Sequence, residues 1–112
     1  MLVEREAIDR IVGFGGPKLL RGMVELFVKN APAKAAEARE ALDCGDAAAL
    51  RMALHGLKSS AGQLGAMSVF HACTAGEEHA SRGDLAACVP YVARVESDLP
   101  GACRELQDLV AA

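Results

Sequence analysis

Apolar residues return every three or four positions along most of the chain, the period of a helix buried along one stripe. The segment around Leu50, Leu54, Leu57, Ala61 and Leu64 shows it best, and five such segments can be drawn: roughly 3–12, 17–43, 46–62, 66–82 and 84–109. No hairpin turn flanked by alternating apolar residues occurs, so strands are not expected. Cys44-Gly45-Asp46 reads as a helix end, a left-handed glycine and an aspartate N-cap. Arg82-Gly83-Asp84 reads the same way; a corner is a better account of it than the adhesion tripeptide it spells. Gly65, with Gly62 just before it, marks a third break. Gly13-Phe14-Gly15-Gly16-Pro17 marks a fourth, with Pro17 suited to a first helical turn. Pro32 is expected to kink or split the second helix near Asn30, and Pro100-Gly101 to bend or interrupt the last; Pro90 is tolerable near a helix start. Short links between long helices favour antiparallel neighbours. The predicted fold is therefore all-α: one domain over 1–112, an antiparallel up-down four-helix bundle with a short extra N-terminal helix across one end.

Composition agrees with helix packing. The 112 residues are 52% hydrophobic but only 4% aromatic, so the core must be built from Ala, Leu, Val and Met. Net charge is −3 and Lys/Arg residues are not clustered, which argues against a nucleic-acid partner. Cys44, Cys73, Cys88 and Cys103 are widely spread without a C-x-x-C pair, so free, mostly buried thiols in a reducing cytoplasm are expected. Met1 to Arg10 is too charged for a secretory signal, and no apolar stretch is long enough to suggest a membrane span. The glycine-rich segment before Pro17 has neither dinucleotide nor Walker spacing.

The candidate chemistry lies on the third helical segment. On a helical wheel, His55 falls roughly 140° from the centre of the leucine stripe. Arg51, Lys58, Ser59 and Gly62 surround it on the polar side. A neutral imidazole, the main form of histidine in water near pH 7, is a good nucleophile toward phosphorus. The phosphoramidate product would carry negative charge that Lys58, three residues on, could meet, while Ser59, four on, could donate a hydrogen bond. Gly56 and Gly62 remove bulk beside the ring, which would let a second protein approach; Gly62 could equally begin the turn that ends at Gly65.

The next segment carries an apolar stripe of Ala66, Val69, Phe70, Cys73 and Ala80, with Glu77 near its middle and Glu78 pointing away. A carboxylate facing a bundle needs a partner. In a hairpin turning at Gly65, positions 55 and 77 are about equally far from the turn. Glu77 is thus expected either to accept a hydrogen bond from the His55 ring N–H, leaving the outer nitrogen (Nε2) free to attack, or to pair with a Lys or Arg at the bundle edge.

The segment from His55 to Ala66 resembles the signature of histidine phosphotransfer (Hpt) domains: His-x-Leu-Lys, two small residues and, after three more, an aliphatic residue and Gly. Pro17 to Asp46 resembles the family's long helix and turn, and Phe70 to Asp84 its continuation, so the likeness covers about residues 17 to 100. Ser59 stands where Gly is common, Gln63 where residues vary, and the first helix matches least. The resemblance implies a phosphorelay intermediate that accepts a phosphoryl group on His55 from a response-regulator aspartate and passes it to another. It implies Lys58 as the phosphoryl-facing cation and Glu77 as the partner of the active histidine. It also implies a partner-facing surface drawn from Arg51, Met52, Ser59, Gly62 and Gln63. No cofactor is expected on this chain; Mg²⁺ would come with the receiver domain. The expected partners are receiver domains and a hybrid sensor histidine kinase, with the chain itself a monomer lacking autokinase activity.

Three other readings compete. A non-catalytic adaptor would bind a receiver without taking phosphate, against which the intact His55/Lys58 pair argues. A metal-binding bundle would use His71 and His79, but the paired Glu-x-x-His motifs of such sites are missing. A self-contained enzyme would need a nucleophile–base pair and a pocket-forming loop, and the chain offers neither.

Overall fold

The computed structural model describes residues 1–111. Four helices make up the fold: α1 (Arg5–Cys44), α2 (Ala47–Gln63), α3 (Met67–Ser81) and α4 (Leu85–Val110). Each packs against the next, and α1 closes the ring against α4. Cross-contacts give the directions. Arg21 reaches Val110 while Arg39 reaches Glu96, so α1 and α4 run oppositely. Ser68 meets Asp98 while the Cys88 thiol donates to the Gly76 carbonyl, so α3 and α4 do too.

The three corners share one closure. After α1, α2 and α3, the glycines Gly45, Gly65 and Gly83 take φ of 78°, 74° and 73°. At each, the next amide donates back to a carbonyl five residues earlier: Asp46 to Ala41, Ala66 to Ala61, Asp84 to His79. A left-handed residue is needed for that bond, which is why glycine sits there. Asp46 and Asp84 then cap the following helices by accepting from the Ala49 and Ala87 amides, as their spacing predicts.

The expected separate N-terminal helix is absent. Residues 5–15 run into the same long α1, with Gly16 alone outside helical geometry (φ 82°, ψ 177°). Gly16 kinks α1 within the break expected between Gly13 and Pro17, with helix on both sides and no loop between, so residues 5–15 form the first arm of α1 rather than a separate element. What crosses the end of the bundle is the extended start of the chain. Val3 bridges Ala66, the Glu4 amide donates to the Gly65 carbonyl at 2.8 Å, and the Leu2 and Val3 amides donate to the Glu105 carboxylate.

Neither Pro32 nor Pro100 splits its helix: residues around both keep helical dihedrals. Proline removes one backbone donor and crowds the preceding turn. Here buried Ala31 and Ala35 on α1, and Leu99 and Ala102 on α4, hold both sides of each proline on the core. Tertiary burial therefore outweighs the local cost.

The core is mainly Ala, Leu and Val, joined by Ile8, Phe27, Cys73, Cys88 and Cys103, while the methionines expected there are not buried. Leu50, Leu54, Leu57, Ala61 and Leu64 are all buried, so the predicted stripe of α2 is its core face. Fully burying one such leucine contributes about 1.5–3 kcal/mol.

Candidate functional site

With that stripe turned inward, His55 is left on the outer surface of α2, its side chain 59% exposed. Glu77 of α3 is far more covered, at 16%. Nδ1 of His55 stands 2.8 Å from Oε1 of Glu77, and the Lys58 ammonium stands 2.7 Å from Oε2. The two partners open to Glu77 in the sequence thus occur together, one on each oxygen. An ionised carboxylate can only accept, so Nδ1 carries the proton and donates. In the neutral ring Nε2 is then the unprotonated nitrogen, and it makes no hydrogen bond among the described residues.

Glu77 is held ionised. Burial raises its carboxyl pKa, but the Lys58 ammonium and the His55 ring outweigh that effect and bring it below the ordinary range. Its Oε2 is shut off from water and lacks a well-aligned hydrogen bond, so its compensation is the Lys58 charge. Behind it, Cys73 is fully buried, and burial together with the Glu77 charge pushes its thiol up to about 12. That sulfur stays protonated and inert.

α2 and α3 come close together beside the site. Leu54, next to His55, lies against Gly76, next to Glu77; a Cβ on Gly76 would come within 2.9 Å of Leu54 Cδ1. Sequence reasoning passed over Gly76, although a mid-helix glycine beside a core-facing acid was the available signal.

The residues predicted to meet a partner lie in two groups. Arg51 and Ser59, four residues either side of His55, share its exposed face. Met52 and Gln63 are exposed toward α1, where each lines a groove with Lys34 and Glu37. Ser59 donates back to the His55 carbonyl at 3.3 Å. Gly62 is half-buried, because the Phe70 ring fills the space over it; a Cβ there would meet Cδ1 at 3.0 Å. Gly56 lies under the aliphatic stem of Lys34, 3.8 Å from where its Cβ would be. Lys34, a cation from α1 beside the histidine helix, carried no sequence signal.

The two histidines of the metal reading have other roles. His71 is exposed with its ring edge-on to Phe70, and His79 stacks on Tyr91. Of the four free cysteines, Cys73, Cys88 and Cys103 are buried and Cys44 is exposed. No helix among the described residues is long and apolar enough to cross a membrane.

The arrangement is an exposed imidazole with one nitrogen anchored to a carboxylate, the other open to an incoming group, and a cation on the same carboxylate. Compared with known families, residues 22–112 match the family model described as Hpt domain. No curated protein and no solved structure matches the chain.

Proposed function

Because the chain belongs to the Hpt domain family, we propose that it is a phosphorelay intermediate that carries the phosphoryl group on Nε2 of His55, taken from one response-regulator aspartate and given to another. The family acts in histidine phosphotransfer and meets receiver domains; the residue-level reading is ours. The observation that carries it is the exposed His55 ring bound through Nδ1 to Glu77 at 2.8 Å.

In the proposed step, the Nε2 lone pair attacks phosphorus in line with the aspartyl–phosphate bond. The N–P bond forms, the P–O bond breaks, and the aspartate leaves as a carboxylate. No proton need move: Nδ1 keeps its hydrogen while the ring gains positive charge, which the Glu77 carboxylate stabilises. Lys58 shares that carboxylate and lies on the His55 helix, so its ammonium is the nearest resource for the arriving phosphoryl oxygens. The receiver's Mg²⁺ would neutralise the same oxygens. The reverse step, with a second receiver, regenerates the imidazole. Catalysis in both directions is positioning and charge neutralisation.

The receiver would dock over Arg51, Ser59 and the His55 ring, and reach across α2 to Met52 and Gln63. Gly62 contributes by seating Phe70 rather than by direct contact. A hybrid sensor kinase would charge the upstream receiver, and the chain would act as a cytoplasmic monomer. Incubating it with a phosphorylated receiver domain and following the label tests the reading. Label on wild type that is missing from His55→Gln is expected. Receiver binding without label would favour the adaptor and overturn the relay.

A further inference from the structure

Gly16, Gly45, Gly65 and Gly83 have backbone angles that favour glycine; Gly76 does not. It lies inside α3 with ordinary helical geometry, where glycine is less favourable than alanine. Its reason must be lateral. A Cβ there would meet Leu54 Cδ1 at 2.9 Å and Tyr91 Cβ at 3.4 Å, from α2 and α4. Leu54 is fully buried, so its terminal carbons have little room to turn away. The Gly76 carbonyl also accepts from the Cys88 thiol at 3.4 Å, which fixes α3 on α4 from the other side.

We propose that Gly76 is a positioning residue: by having no side chain it sets the α2–α3 separation that brings Glu77 within hydrogen-bonding reach of His55, and so selects the ring tautomer with Nε2 free. Non-bonded carbons need about 3.8 Å, so a Cβ at 76 falls short by about 0.9 Å. The adjoining pair, 55 and 77, sits one residue along from 54 and 76. The same displacement there, carried over in full, would stretch the 2.8 Å Nδ1–Oε1 contact to as much as about 3.7 Å, beyond a hydrogen bond. A free imidazole prefers its proton on Nε2, the nitrogen that must attack. Losing the Glu77 bond would therefore shift the ring toward the unreactive arrangement.

The inference rests on the relay reading for its consequence, but its geometry can be tested without a receiver. Imidazole ¹⁵N NMR in mildly alkaline buffer reads the tautomer directly. Wild type should show the proton on Nδ1, and Gly76→Ala should shift the ring to a mixture or to Nε2–H. Leu54→Val removes the clashing carbon, so the Gly76→Ala/Leu54→Val double variant should recover the Nδ1–H signature. Phosphotransfer should follow: about tenfold slower in Gly76→Ala and within threefold of wild type in the double variant. Should Gly76→Ala fail to fold, the double variant decides alone, with Nδ1–H supporting the proposal and a mixture overturning it. A folded Gly76→Ala that keeps Nδ1–H overturns it as well. A wild type with Nδ1–H that takes no label would refute the relay and leave this geometry standing.

Discussion

Replacing Glu77 by alanine separates what the carboxylate does for the fold from what it does for chemistry. For stability the loss is modest. His55 is 59% exposed and returns to water, and Lys58, at 26%, can extend its ammonium outward. Discounted for that exposure, the two contacts together are worth about 1 kcal/mol. A domain of this size would lose about 4 °C in Tm. For transfer the loss is larger, because the ring becomes positive only as phosphorus is attacked. A unit charge 2.8 Å from the carboxylate gains about 3 kcal/mol at an effective dielectric of about 40, and about 1.5 in bulk water. A half-exposed site falls between these limits, at about 2 kcal/mol, which corresponds to roughly 30-fold in rate. The assay is rapid-quench transfer of label from a phosphorylated receiver, alongside circular dichroism and thermal melts. Glu77→Gln keeps an acceptor without the charge and should fall between alanine and wild type. A Glu77→Ala rate within threefold of wild type would refute the reasoning. So would a slow variant that has also lost its helical signal, because Glu77 would then be structural.

Other outcomes follow from the same geometry. Because the folded-state pKa of Glu77 is depressed, its contribution is fully present above the ordinary carboxyl value and is lost as pH falls from about 4.3 through the lower folded value. Denaturation midpoints of wild type and Glu77→Gln should therefore differ at neutral pH and converge in acid. Leu54→Ala empties a fully buried position under the histidine helix and should cost about 2–5 kcal/mol in urea unfolding. Gly65→Ala should destabilise clearly more than Gly45→Ala. Both residues have positive φ, but only at 65 would a Cβ collide, with Ala7 Cβ at 2.8 Å and the Glu4 carbonyl at 2.9 Å. A difference below about 0.5 kcal/mol in paired melts would discard the packing half of that argument.

The helices, corners and histidine were legible in the sequence because each depends on residues close together in the chain. The period of Leu50, Leu54, Leu57, Ala61 and Leu64 dictates which side of α2 is buried and hence that His55 is not. Gly45-Asp46 and Gly83-Asp84 encode their turns locally, through left-handed backbone and a capping carboxylate. Local reasoning failed where distant burial outweighed it. Pro32 and Pro100 by themselves predict a kink or an interruption, yet the core on either side keeps both helices uninterrupted. The glycine-rich segment before Pro17 does mark a break, at Gly16, but as a kink within α1 and not as a loop that would free a separate helix. The site shows the same division. Periodicity turned Glu77 inward and left two partners open. Only packing put His55 on one oxygen and Lys58 on the other, laid Lys34 over Gly56 and filled the space at Gly62 with Phe70. The sequence determines which residues share a face, through the fixed rise and turn of a helix. How far apart two faces stand is set by side chains from other helices, and here that distance decides which histidine nitrogen is free.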